Sequence, residues 1–481
     1  MNKRLISGII GVAAAVSLMT GCGKPAAAVE DTKAAVESEA EDESTAVKAD
    51  EETGTETAAE TAAQAKDMKQ GVTTVANEES ITGFTTMFLY QDDKATNVQL
   101  VGGFQFYVEN DPKVYAEGFT LAAGDKMENY LYSPDQWQKD LKLRHINDAG
   151  LTMDMEYDEA SKAWTASLEL PCASYLYTYN VSYDSGKTYE MIVDPNNVPS
   201  CNAMGAHQTR SQFFVPYDAS KQSEEDDWTW LFPVEDEKDR GRISHVTYQG
   251  ADSSDHQAEI YLPAGYDEDR QQPYKVLYLT HGGGGEEGDW FYQGNAGNIV
   301  DRLAAEGKTE GFVIVCMNNA EFLIEGSRDW DYDAIFDNTV NYLMPYIESG
   351  YNVSTEAQDM AYAGLSSGAK TTGEIYYKAP EMFGYFGMFS GSAAWDWPEL
   401  EDYSSMKKPN IYLAAGFADH LMMQDTYHTD GDKTLIGFKE LLDKAGITYN
   451  GGGEYVTVQG AHDWYTWPQI LKDYVETTLW K

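Results

Sequence analysis

Between residues 78 and 232 the apolar positions fall in short runs separated by turns. The runs "NVQLVGGFQFY", "AWTASLELP", "YLYTYNVSY" and "YEMIVDP" are rich in aromatic and β-branched residues, and "DSGK" and "DPNN" punctuate them. This pattern predicts a sandwich of short strands. A charged hinge, "EDEKDRGR" at 235–242, ends it. Beyond 241 the texture changes. "AEIYLP", "KVLYLT", "GFVIVCM", "DMAYAG", "GYFGMFSG", "NIYLAAG" and "EYVTVQG" read as strands, several of them continuous apolar runs of the kind covered on both faces. Helical spacing intervenes: Phe336, Val340, Leu343 and Ile347 recur within 333–349. "DKTLIGFKELLDKAG" and "WPQILKDYVETTLW" read as two more helices. Strands alternating with helices predict a mainly parallel, three-layer α/β sheet over 241–481. Along the sandwich, Trp164, Tyr177 and Tyr179 are expected to pack in the core or across strands rather than to stand as sugar platforms.

The N-terminus reads as an address. Basic "MNKR" precedes the short apolar run "LISGIIGVAAAVSLM", as in a bacterial export signal. The run ends in "MTGC", which resembles a lipobox and makes Cys22 the expected lipidation site at the end of a signal over 1–22. Residues 23–77 follow as an expected acidic, disordered linker, because no aromatic residue precedes Phe84 and such a stretch cannot bury enough surface to fold. The protein is therefore expected outside the cell, tethered to the bacterial membrane only by lipid. The net charge of −45 argues against nucleic-acid partners, since phosphate binding needs clustered Lys and Arg. It suits a neutral partner such as a sugar polymer. Of the remaining cysteines, Cys316 falls within a strand. Cys172 and Cys201 form either a disulfide or two separate thiols, which spacing leaves open.

Chemistry concentrates at "AYAGLSSGAK", 361–370. The pattern G-x-S-x-G centres on Ser366, with Gly364 and Gly368 two residues to either side; Ser367 fails it, having Leu365 and Ala369 there. A strand turning sharply into a helix needs glycine at both positions, because side chains there meet neighbouring backbone. Such a turn exposes the Ser366 hydroxyl as a nucleophile and leaves the Ser367 N–H at a helix N-terminus, suited to a developing oxyanion. A base must follow in the chain. Among His420, His428 and His462, the last lies in "VQGAHDWYTW", between a strand and the final helix. Asp419, at the end of "NIYLAAGFADH", is the preferred orienting acid; Asp425 and Asp430 are weaker, and Asp463 adjoins the histidine too closely to turn back to it. The loop "THGGGGEEGDW" offers a second oxyanion donor, the N–H of Gly283, with His281 as a structural neighbour. The glutamates after the glycines, and the lack of a Gly-Lys-Ser/Thr ending, argue against a phosphate cradle. Trp290, Trp395, Trp397, Trp464 and Trp467 lie near these loops and can either wall a pocket or pack in the core. "DWDYDA" begins like a calcium loop, but has Ala334 where glycine is needed and Val340 where the bidentate Glu belongs, so no metal is expected. The chemistry needs no cofactor.

The order "IYLPAGYDEDRQQPYKVLYLTHGGGGEEGDWF", "YIESGYNVSTEAQDMAYAGLSSG", "MFGYFGMFSG", "GFADH", "GAHDWYTW" resembles the esterase D-like family of feruloyl and acetylxylan esterases over 241–481. The resemblance implies an α/β-hydrolase that cleaves acyl esters on plant cell-wall polysaccharide such as xylan. It implies a triad of Ser366, Asp419 and His462. The family commonly has S-M-G-G at its elbow, where this chain has Ser366-Ser367-Gly368-Ala369. Ser367 would act only through its N–H, and Ala369 would alter helix packing. The stretch from Trp164 to Asn197 resembles the immunoglobulin-like (E-set) modules that precede catalytic domains in glycogen-branching and debranching enzymes and some feruloyl esterases, which makes glycan contact by this module an open expectation. Two rival readings stand beside this one: an esterase of the same fold acting on a siderophore lactone or acyl-thiol conjugate, and a non-catalytic glycan-binding surface lipoprotein.

Overall fold

The computed structural model describes residues 70–108, 131–146, 151–197, 210–251, 253–327, 329–391, 409–417, 419 and 426–481, apart from 431–432, 437–438, 440–441, 444–445 and 461. Cys22, Cys201, Trp395 and Trp397 lie outside these residues, as do the expected signal and most of the expected linker.

The N-terminal half is all β. Its strands are β1 (Gly71–Ala76), β2 (Phe84–Tyr90), β3 (Asn97–Gly102), β4 (Gln105–Val108), β5 (Leu143–Ile146), β6 (Leu151–Asp154), β7 (Glu156–Asp158), β8 (Ala163–Leu168), β9 (Ala173–Ser182), β10 (Glu190–Ile192) and β11 (Ser211–Val215). One sheet runs β1-β2-β8-β7; the other runs β10-β9-β3-β6, with β11 also on β9. Strand β1 corrects the expected boundary, since it lies within the stretch read as linker. The two sheets enclose Phe88, Leu100, Phe104, Tyr175, Tyr177, Tyr179 and Phe213. Tyr177 and Tyr179 are core residues whose hydroxyls both donate to buried Asp194, at 2.6 and 3.2 Å. The apolar run of β9 has a second cause. Its odd-numbered tyrosines fill the sandwich, while Leu176 joins the core of the C-terminal half. Among the described residues Cys172 is a free, buried thiol whose sulfur accepts the Trp228 N–H, and Cys201, its candidate partner, lies outside them.

The C-terminal half is built on one sheet. Its strands are β12 (Arg242–Gln249), β13 (Asp255–Leu262), β14 (Val276–Thr280), β15 (Val313–Met317), β16 (Met360–Leu365), β17 (Tyr385–Phe389), β18 (Asn410–Gly416), β19 (Thr426–Asp430), β20 (Lys433–Ile436) and β21 (Val456–Val458). Eight of them form the order β12-β13-β15-β14-β16-β17-β18-β21. The β12–β13 and β13–β15 pairs are antiparallel and the rest parallel. Alternate side chains divide between two cores, as the period of two requires. Leu277, Ile314, Ala361 and Ala363 face one layer, with α1 (Asp289–Tyr292), α2 (Ala296–Ala305) and, at the chain's end, Trp467–Thr477. Val276, Val313, Met360 and Tyr362 face the other, with α3 (Tyr332–Asn338), α4 (Met344–Gly350) and α5 (Ser367–Lys378). The Trp467–Thr477 helix is α6.

Two helices departed from expectation. The 333–349 helix contains a π turn, Thr339–Leu343, just before Pro345, which has no N–H to give the preceding turn. The first part of "DKTLIGFKELLDKAG" is strand β20, paired antiparallel with β19. In the sequence the two residues between the strands, Gly431-Asp432, are a hairpin signal that outweighs helical spacing.

Candidate active site

Strand β16 is flanked by β14 and β17 in the middle of the sheet, and it delivers Ser366 to the start of α5. Ser366 has φ 53° and ψ −118°, a conformation that L-residues rarely adopt. Its N–H donates to the Phe389 carbonyl at 2.9 Å. The flanking glycines are obligatory for steric reasons. A Cβ on Gly364 would lie 2.1 Å from Thr280 Oγ1, and one on Gly368 would lie 2.3 Å from the His281 carbonyl oxygen. Thr280 thereby emerges as a residue that the sequence reading missed. It hydrogen-bonds the Ala363 and Gly368 carbonyls at 3.3 and 3.2 Å, spanning the turn.

The three residues expected to act together do meet. His462 Nε2 is 2.9 Å from Ser366 Oγ, and His462 Nδ1 is 2.9 Å from Asp419 Oδ2. Asp419 is buried, whereas Ser366 and His462 remain partly open to solvent. A buried carboxylate on Nδ1 fixes the ring and leaves Nε2 facing the hydroxyl. Asp463, rejected as the acid, accepts from the Tyr465 and Thr466 N–H groups at the start of α6 instead.

Gly283 is exposed beside the elbow, and a Cβ placed on it would lie 3.3 Å from Ser367 Oγ. Among the described residues, no acceptor takes the N–H of Gly283 or of Ser367. Both amides are free for a ligand oxygen. His281 is buried and bridges two loops: Nδ1 donates to the Gly282 carbonyl at 2.8 Å, and Nε2 accepts the Asn319 N–H at 2.9 Å. The Asn319 link had no sequence signal, because nothing local joins residues so far apart.

Of the two roles open to the tryptophans, the described ones take the core role. Trp290 is fully buried, donates its indole N–H to the Thr280 carbonyl at 2.8 Å, and meets Trp464 edge-on. Trp464 is buried against Trp467, whose ring stands edge-on to His462 with centroids 5.2 Å apart. The three form a packed row behind the histidine rather than the wall of an open cleft. Large rings at the meeting of several elements bury more surface inward than any groove offers.

Residues 253–477 match the family model Esterase. That model describes a putative esterase and covers the sheet from β13 onward, the elbow and α6. The endo-1,4-beta-xylanase/feruloyl esterase of Xylanibacter ruminicola is 28% identical over 315 residues, covering 64% of this chain and 39% of its own length. Endo-1,4-beta-xylanase Y of Acetivibrio thermocellus is 29% identical over 164 residues, 31% of this chain and 14% of that one. The chain thus spans well under half the length of either relative. Among solved structures, a ferulic acid esterase from Anaeromyces mucronatus aligns with a TM-score of 0.42 at 20% identity, over 52% of this chain and 95% of that one. The ferric enterobactin esterase of Salmonella typhimurium aligns with a TM-score of 0.42 at 14% identity, over 86% of this chain and 98% of that one. Among the described residues, no helix is long and apolar enough to cross a membrane.

Proposed function

We propose that the protein is a serine esterase that removes feruloyl or acetyl groups from plant cell-wall polysaccharide such as xylan. The observation that carries the reading is the pair of 2.9 Å contacts linking Ser366, His462 and Asp419. The relatives named for xylanase and feruloyl esterase activity support the substrate class. Ser366 Oγ attacks the ester carbonyl carbon as its proton passes to His462 Nε2. The Asp419 carboxylate stabilises the resulting imidazolium. The Gly283 and Ser367 N–H groups hold the tetrahedral oxyanion. The carbon–oxygen bond to the sugar then breaks, and His462 returns the proton to the leaving hydroxyl. Water attacks the acyl-enzyme with His462 again as base, which frees the carboxylic acid and Ser366.

On this reading the export signal and Cys22 hold the enzyme outside the cell on a lipid anchor. Glycan contact by the β-sandwich would fall to exposed aromatics such as Tyr157, Tyr183 and Tyr189, since Tyr177 and Tyr179 are buried.

The test is turnover of methyl ferulate and 4-nitrophenyl acetate by the wild type, Ser366→Ala and Ser367→Ala. Ser366→Ala is expected to lose at least about 1,000-fold in kcat. Ser367→Ala, which keeps its N–H, is expected to retain much of the activity. A wild type inactive on both esters would overturn the reading in favour of the lactone or binding-protein alternatives. A dead Ser367→Ala beside an active Ser366→Ala would overturn the assignment of the elbow.

A further inference from the structure

We infer that His256 and Glu321, outside the triad, are positioning residues that hold the oxyanion loop in register with the elbow. The inference rests on the esterase reading above. The oxyanion loop begins at His281, and the His281 ring is its strut: one nitrogen is bonded to the Gly282 carbonyl and the other to the Asn319 N–H. The strut is only as firm as the segment that carries Asn319. That segment is a single 3₁₀ turn, Asn319–Phe322, leaving the C-terminal end of β15. A turn this short has few internal hydrogen bonds and needs outside anchors.

His256, on β13, supplies two of them. Its Nδ1 is hydrogen-bonded to Glu321 Oε2, and its ring lies parallel to Phe322 with centroids 5.3 Å apart. The other ring nitrogen sits 3.1 Å from Ser254 Oγ, which fixes the imidazole from behind. At the entry to the turn, Asn318 donates its N–H to the Gln257 carbonyl on the same strand. A run of contacts therefore leads from the sheet through His256 and Glu321 to Asn319, then to His281 and to Gly282, the neighbour of Gly283. On the outer side, His256, Glu321 and Phe322 line an open cavity of about 600 Å³. Oxyanion donors lose their effect when displaced by a fraction of an ångström to an ångström, so slack in this run appears in the chemical step rather than in substrate binding.

The experiment compares wild type, Glu321→Ala, Glu321→Gln and His256→Phe. Steady-state kinetics on 4-nitrophenyl acetate are combined with amide hydrogen exchange of peptides covering 281–288 and 319–322. Glu321→Ala is expected to lower kcat about tenfold with KM within about twofold, as loss of oxyanion alignment should. It should also speed exchange in both peptides. Glu321→Gln keeps an acceptor for the imidazole and should restore most of both. His256→Phe keeps the ring contact but loses the hydrogen bond, and should resemble Glu321→Ala. Unchanged exchange in the 281–288 peptide of Glu321→Ala, or kcat within twofold of wild type, would overturn the inference. So would a kcat loss that Gln fails to rescue. A wild type with no esterase activity would sink the functional reading alone, because the exchange measurement still decides whether the pair holds the loop.

Discussion

Ala369 stands where the S-M-G-G pattern that the elbow resembles has glycine, and Gly391 is what lets it fit. Ala369 is fully buried, and a Cβ on Gly391 would lie 2.1 Å from its methyl carbon. One missing side chain on the segment after β17 thus accommodates one added on α5. Gly391→Ala should cost about 1–3 kcal/mol through overpacking. Adding Ala369→Gly should recover part of the loss, less the penalty of about 1 kcal/mol for glycine in a helix. Chemical denaturation of the two single variants and the double variant measures this coupling, and strictly additive losses would refute it. At this scale the sequence was most legible at Ser366, because Gly364 and Gly368 answer to sterics within one turn. The tryptophans were less so. Whether Trp290 lines a groove or fills a core depends on Trp464 and Phe389, which arrive from distant segments.

Strands β12 and β13 form an antiparallel edge that carries two histidine–carboxylate groups. His256 meets Glu321, as above; His245 lies 3.4 Å from Glu259 and 3.7 Å from Glu287, both buried acids. Glu287 belongs to the oxyanion loop, so this edge grips the loop at a second point. Burial pushes the Glu259 carboxyl up to about 7, with the nearby Glu287 adding to the rise and His245 opposing it. An acid with a raised folded-state pKa keeps a proton that the unfolded chain has already released. Its contribution to stability therefore falls as pH rises from the ordinary glutamate range to about 7, and is fully unfavourable above that. Glu259→Gln should stabilise the protein at pH 8 by on the order of 2 kcal/mol and by much less at pH 5. Thermal midpoints at the two pH values check this; a larger gain at pH 5 would contradict it. Elements were legible wherever the period was strong, as in the parallel strands and α6. Strand β1 was hidden because "GVTTVA" follows a long polar tract without a turn signal. Strand β20 was hidden because its residues also satisfy a helical spacing.

The division of the chain near residue 241 was legible from the change of pattern, but the extent of contact across it was not. Gln212 on β11 donates to the Tyr292 carbonyl and Asn295 Oδ1 at 3.1 and 2.9 Å. Asn298 and Arg302 on α2 donate to the Leu231 and Phe232 carbonyls at 3.0 and 3.1 Å. Trp228 packs against Tyr465 with centroids 4.6 Å apart. The described residues of both halves accordingly group as one compact unit. Periodicity reports which face of a strand is buried, not whose core it enters, so this fusion left no mark on the sequence beyond the long apolar run of β9. Scanning calorimetry should show one cooperative transition for both halves, and two well-separated transitions would refute the point. Sharing β9 between two cores also changes what counts as a transferable part. Cutting at the hinge would strip the C-terminal half of Leu176 and Trp228 and leave a raw apolar face. A chimera that borrows this chemistry should carry the sandwich with it, as lining rather than as an accessory.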